Sequence, residues 1–217
     1  MFATKSLVAS LLFAAAAFSV NAGATVINFD HLAGTAIAGS PYVSPGRYTQ
    51  LPALTTIGGM TFAATYSSYL IGPGYSGSDA ASYAFNGTDY LMTYGAITIR
   101  SATASPFSVN SLDLVSWSDI TYANTATLTG QRQGGGVVTQ SLNLSSVRNS
   151  MKHVGNDFTT FALTGFDNLT ALTVTHSGNT SIAMDNLTIN EANVPEPSVL
   201  ALLGVALAGC VFARRRA

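Results

Sequence analysis

Thr125–Leu144 reads TATLTGQRQGGGVVTQSLNL. Two runs, Thr125–Gly130 and Val137–Leu144, alternate small or apolar residues with polar ones and are rich in Thr, Val and Leu. Between them stands QRQGGG. Period-two alternation on both sides of a glycine-rich break predicts a β-hairpin. The loop is no phosphate cradle, because it lacks the G-K-[ST] ending and a following helix.

The same period runs outward from this hairpin. Thr25–Asp30 (TVINFD) predicts a short strand, and Gly59–Tyr66 (GMTFAATY) follows a Gly-Gly turn signal. Leu91–Arg100 predicts two short strands split by Gly95. Phe107–Trp117 (FSVNSLDLVSW), Phe158–Leu163, Leu169–Thr175 and Ser181–Ile189 complete a set of about nine or ten strands. Nothing between residues 25 and 191 keeps a 3.6-residue period over a dozen positions. The class is therefore all-β: an antiparallel β-sandwich of jelly-roll type, with a closed barrel as the other solution. His31–Ile57, full of Gly, Pro and Ser, reads as one long irregular connection, functional, mobile or laid over a sheet edge. VINFD and SIAMDNLTIN open and close the domain; if they are neighbours, both termini emerge at related places and antiparallel pairing needs no crossover helix.

Both ends of the chain differ from this middle. Residues 1–24 carry Lys5, an apolar run from Leu7 to Val20, and Ala22-Gly23-Ala24. That order predicts a secretory signal peptide cut after Ala22 or Ala24; a buried N-terminal helix would leave the A-x-A pattern unexplained. The domain is expected over residues 25–191. Five basic residues face nine acidic ones there, a net charge of −4, which argues against a nucleic-acid partner. Cys210 is the one cysteine of the chain, so the domain makes no disulfide and must rest on packing and sheet hydrogen bonds.

Residues 192–217 form a third segment. Pro195 and Pro197 hold Val194 and Glu196 extended. Ser198–Ala213 is sixteen uncharged residues, and a helix of that length spans about 24 Å against a hydrocarbon core of ~30 Å. A thinner bilayer and arginine snorkelling close the gap. Arg214, Arg215 and Arg216 then stay on the cytoplasmic side. A plain membrane anchor accounts for the helix at 198–213 but leaves Pro195-Glu196-Pro197 unexplained. A core helix fails for want of an apolar partner helix.

The order Pro-Glu-Pro, apolar run, arginine cluster closely resembles the PEP-CTERM sorting signal. The resemblance implies an exported, non-enzymatic surface or extracellular-matrix protein. It implies recognition of Pro195, Glu196 and Pro197 by an exosortase, a membrane-embedded cysteine-protease-like enzyme of Gram-negative bacteria. It also implies transient anchoring in the inner membrane, removal of the tail, and a link to exopolysaccharide. NFDHLAG, PFSVNSLDL, TLTGQRQGGGVVTQSLNL and GFDNLTALTVTHSGNTSIAMDNLTIN further resemble the β-sandwiches that precede such tails.

Three groups of residues are candidates for chemistry within the domain. Asp30 and Asp185 flank the first and last strands, and similarity to carbohydrate-binding jelly rolls implies a structural calcium between them, with Asn186, Asp167 and Asn168 as further oxygen donors. The plainer reading makes Asp30 a turn cap and Asp185 an acceptor in a turn-prone Asp-Asn pair. Tyr42, Tyr48, Tyr66, Tyr69, Tyr75, Tyr83, Tyr90 and Tyr94 crowd the first half. They either stack on sugar rings in a lectin-like module or fill strand faces. Trp117 is expected in the core. His31, His153 and His176 lack a metal-ligand spacing. With no G-x-S-x-G and a lone Glu191, a secreted hydrolase is the weakest reading.

Overall fold

The computed structural model describes residues 24–75, 84–117, 124–144, 156–177 and 181–190. The expected signal peptide, the Pro-Glu-Pro segment, the helix expected at 198–213 and the arginine cluster lie outside them. Fourteen strands are described. They begin with β1 (Thr25–Ile27), β2 (Tyr42–Ser44), β3 (Tyr48–Leu51), β4 (Leu54–Ile57) and β5 (Met60–Ala64). β6 (Ser68–Ile71), β7 (Tyr90–Thr93), β8 (Ile97–Ser101), β9 (Val109–Ser116) and β10 (Asn124–Arg132) follow. The last four are β11 (Val137–Leu144), β12 (Thr159–Ala162), β13 (Leu169–His176) and β14 (Ile182–Ile189).

They form two sheets in which every pairing is antiparallel. The larger runs β12-β9-β14-β7-β6-β3-β2, with β1 also on β14; the smaller runs β11-β10-β13-β8-β5-β4. The first and last strands are neighbours, Thr25 opposite Ile189 and Ile27 opposite Leu187. The expected hairpin is β10–β11, and Gly134, Gly135 and Gly136 all take positive φ, at 84°, 99° and 91°. A run of three such residues is open to glycine at little cost, which is why the break is GGG.

Gly95 separates strands of different sheets, since β7 belongs to the larger and β8 to the smaller. The return crossing from β5 to β6 runs beside it, joined by Thr65 N–H to Ala96 O (2.9 Å) and Tyr94 N–H to Ser67 O (3.3 Å). An added Cβ at Gly95 would lie 2.5 Å from the Tyr66 ring, so the glycine lets that ring lie on the crossing backbone.

His31–Ile57 is the main departure from expectation. It holds β2, β3 and β4, and the β2–β3 hairpin forms one edge of the larger sheet. Strands of three or four residues among Gly and Pro carry no readable period; their neighbours make them strands.

Alternation sorts the larger sheet into two apolar faces. Leu70, Leu91, Leu112, Leu114, Ile182 and Met184 point inward, into the core shared with Phe62, Ile99, Leu128 and Leu172 of the smaller sheet. Their neighbours Ile71, Tyr90, Met92, Val115 and Ala183 point outward, into a second cluster with Trp117 and Phe158. A sheet apolar on one face needs one cover; this one is apolar on both.

Candidate functional site

The outward face of the larger sheet carries most of the tyrosines singled out in the sequence. β3 places Tyr48 there, β6 places Tyr69, and Tyr75 arrives from the turn after β6, where its N–H bonds Gly72 O at 2.9 Å. Tyr94 follows β7 and Trp117 follows β9. Their rings close a circuit. Tyr48–Tyr69, Tyr69–Tyr94 and Tyr94–Trp117 meet edge to face at centroid distances of 6.0, 6.1 and 6.3 Å. Tyr75 completes it, 6.4 Å from Trp117 and 5.6 Å from Tyr48. Inside the circuit is a cavity of about 180 Å³, floored by Ile71 and Met92.

The circuit is held from behind. Trp117 is 6% exposed, and its Nε1–H donates to Tyr90 Oη (3.2 Å), whose hydroxyl donates to Ala84 O (2.7 Å). Trp117 is thus core, as expected, and also one wall of the cavity. Three glycines hold the Tyr48 and Tyr75 side. A Cβ on Gly34 would lie 2.2 Å from Gly46 N, and one on Gly74 would lie 2.4 Å from Gly46 O. Two loops and the β2–β3 turn therefore meet backbone to backbone. On the rim, Tyr42 is 54% exposed and stacks on Tyr48 at 5.6 Å, while Tyr94 is 50% exposed. Burial, with Tyr42 beside it, raises the Tyr48 phenol above its usual range, so it stays neutral at physiological pH. Tyr66 stands apart over Gly95, and Tyr83 lies outside the described residues.

A polar patch shares this face. Asp185 sits within β14, opposite Asp113 of β9, at a register shift where Asn186 takes φ 46°. The turn-prone Asp-Asn pair is realised as a β-bulge inside the strand. One Asp185 oxygen accepts from Asn86 Nδ2 (2.8 Å) and Thr88 Oγ1 (3.2 Å), the other from Asn186 N–H (2.8 Å). Asp113 accepts from Thr160 Oγ1 (2.5 Å) and Asn186 Nδ2 (2.9 Å). Asp113 had no motif around it; its partners come from β12 and β14, distant in sequence.

Asp30 accepts from Asn28 Nδ2 at 3.0 Å, a local turn contact. Asp167 faces Arg132 at 3.8 Å on the surface. Asn168 takes φ 53° in the turn before β13. Among the described residues no three His, Cys, Asp or Glu side chains gather as a metal site. His31 and His176 belong to different elements, and His153 lies outside the described residues.

Asp185 is 1% exposed, and burial lifts its carboxyl from 3.8 to about 6, with the Asp30 charge adding to the rise against the three donors. A folded pKa above the unfolded one gives a contribution complete below about pH 3.8 and lost as pH rises through about 6. In chelator, the wild type should therefore lose about 2 kcal/mol relative to Asp185→Asn between pH 4.5 and 7.5. Urea unfolding of both proteins at the two pH values checks this; parallel stabilities would show that the carboxyl titrates normally.

Two antiparallel sheets packed face to face, with an aromatic circuit on the outer face of one, define a β-sandwich protein. Residues 193–216 match the family model of the PEP-CTERM protein-sorting motif. The chain thus carries that sorting motif, which marks a bacterial protein exported and processed at its C-terminus with an exosortase as partner. No curated protein matches the chain. Among solved structures it is similar to a DUF4465 family protein from Bacteroides caccae ATCC 43185, at 11% identity and TM-score 0.49, over 77% of this chain and 98% of that one. It is also similar to TmCBM61, solved in complex with beta-1,4-galactotriose, at 8% identity and TM-score 0.34, over 61% of this chain and 88% of that one.

Proposed function

We propose that the chain is a non-enzymatic protein of the cell surface or extracellular matrix of a Gram-negative bacterium. In this reading it crosses the inner membrane behind residues 1–24, pauses on the helix at 198–213, and is cut near Pro195-Glu196-Pro197 by an exosortase. Arg214, Arg215 and Arg216 set the orientation of the paused intermediate. The observation that carries the reading is the tripartite tail, with the sorting motif over residues 193–216. The destination would place the β-sandwich among exopolysaccharide. The sequence adds a poor acid-base inventory, with Glu191 the one glutamate between residues 25 and 191.

Fractionating cells with and without the sorting enzyme tests this. The expected result is a shorter, surface-located species in the first and a longer, membrane-bound one in the second. Equal size and location in both would overturn it.

Calcium at Asp30 and Asp185 belongs to the same proposal. The groups now turned toward Asp185 are N–H and O–H donors, which suit an anion; calcium requires oxygens. An ion would have to displace Asn86 and Thr88 and would neutralise the buried charge. A melting temperature raised by several degrees with calcium at pH 7.5, and unmoved in Asp185→Asn, is the expected sign of binding. Melts indifferent to calcium and chelator would leave Asp185 as a hydrogen-bond acceptor alone.

A further inference from the structure

We propose that the aromatic circuit is a binding site for a neutral polysaccharide, with one pyranose ring seated in the cavity and its neighbours laid on the rim. The inference deepens the surface-protein reading, which supplies the place where such a polymer is met.

The chemistry of the walls selects the ligand. Tyr48, Tyr69, Tyr75, Tyr94 and Trp117 present π faces and phenol edges over an apolar floor of Ile71 and Met92. The negative face of an aromatic ring attracts the weakly positive C–H groups on the flat side of a pyranose, while phenol hydroxyls can give and take hydrogen bonds with sugar hydroxyls. None of the described lining residues carries a charge. A uronate, phosphate or sulfate polymer would find no cation among those residues, and the net charge of −4 over residues 25–191 repels it further.

Size and shape point to one ring of a chain. About 180 Å³ is below the ~300–1,000 Å³ of sites that enclose a drug-sized ligand. The platform nevertheless continues past the cavity, because Tyr42 and Tyr94 stand half exposed on the rim, Tyr42 stacked on Tyr48. An enclosed monosaccharide would leave Tyr42 and the exposed edge of Tyr94 unused.

Rigidity is built in. Trp117 is tied through Tyr90 to Ala84, and the Gly34, Gly46 and Gly74 backbones meet behind Tyr48 and Tyr75. Rings already in position spare a ligand the cost of ordering them.

Aromatic grooves also take proline-rich peptides, and this chain holds such a segment in Pro195-Glu196-Pro197. A peptide brings backbone carbonyls that need donors. The phenol hydroxyls could serve these, but Glu196 of the segment would meet no cation among the described lining residues, which favours the neutral sugar.

Trp117 is the single tryptophan of the chain, so its fluorescence reads the site directly. The full chain in mild detergent would be titrated with four probes. These are the neutral exopolysaccharide fraction of the producing cells, a soluble galactan, alginate as the anionic polymer, and the peptide Val-Pro-Glu-Pro-Ser. A saturable change with the neutral fraction or the galactan, insensitive to salt, is expected. Tyr69→Ala and Tyr94→Ala should weaken it about tenfold each. Tyr42→Ala, at an exposed position, should also weaken the neutral polymer, which keeps the test informative if a wall substitution unfolds the sheet.

No response to either neutral polymer, or a response to alginate that salt abolishes, overturns the proposal. A response to the peptide alone replaces it with a proline-rich occupant. The titration uses purified protein, so its failure leaves the sorting reading intact, and failed sorting would leave a positive titration standing.

Discussion

Phe29→Ala is expected to cost about 3–5 kcal/mol of unfolding free energy, the range for deleting a fully buried aromatic ring. Phe29 is 0% exposed, and its ring meets Phe62 of β5 edge to face at 5.7 Å. It follows β1, on the larger sheet, and packs on a ring of the smaller one. Its loss opens a void between the sheets where neither backbone can close in, since β1 stays paired with β14. Val26, three residues earlier and 53% exposed, is the control: Val26→Ala should stay within about 0.5 kcal/mol. Urea unfolding of the three proteins measures both. A Phe29 variant as mild as the Val26 one would show that the sheets are not joined through this ring.

Gly34→Ala is expected to cost about 2–4 kcal/mol, from left-handed backbone strain and an enforced backbone shift. Gly34 has φ 73°, and its added Cβ would fall 2.2 Å from the backbone nitrogen of Gly46. A side-chain neighbour could rotate away; a backbone neighbour must move with its strand. Gly46 lies in the turn that leads into β3, which carries Tyr48, so the variant should also change Trp117 emission through the displaced rings. Gly59→Ala is the companion: its φ is 77° but nothing lies within 4 Å of the new Cβ. It should show the conformational part alone, about 1–2 kcal/mol. Equal losses in the two variants would mean that the glycine contact behind the aromatic circuit carries no energy.

The parts legible in the sequence are those in which a local period and its punctuation coincide. TATLTG-QRQGGG-VVTQSLNL is a hairpin because alternation on both sides meets three residues that accept positive φ. Gly95 was readable as a break, though not as the point where the chain changes sheets. That VINFD and SIAMDNLTIN are strands was readable, while their pairing with each other is set by the sheet order. β2, β3, β4 and β6 were not legible. Each has three or four residues, too few to show a period, and each is made a strand by the edge it extends.

The candidate site divides the same way. The crowding of tyrosines before residue 95 is visible at once, but which of them converge is set by the order β9-β14-β7-β6-β3. That order brings Trp117 beside Tyr75 and Tyr94 and leaves Tyr66 outside. Asp185 stood out through its Asp-Asn pair. Asp113, inside the regular alternation of NSLDLVS, gave no local sign that its outward face would meet Thr160 and Asn186.

The tail is the reverse case, fully legible in sequence because each of its three parts acts through composition: two prolines, an uncharged run and three arginines. The measurement that tests the central claim most directly is the intact mass of the protein recovered from its native envelope or secreted fraction. The account predicts a mass lacking the first two dozen residues and everything beyond the Pro195-Glu196-Pro197 region. A mass that still contains Ser198–Ala217 would contradict it and make the tail a permanent anchor.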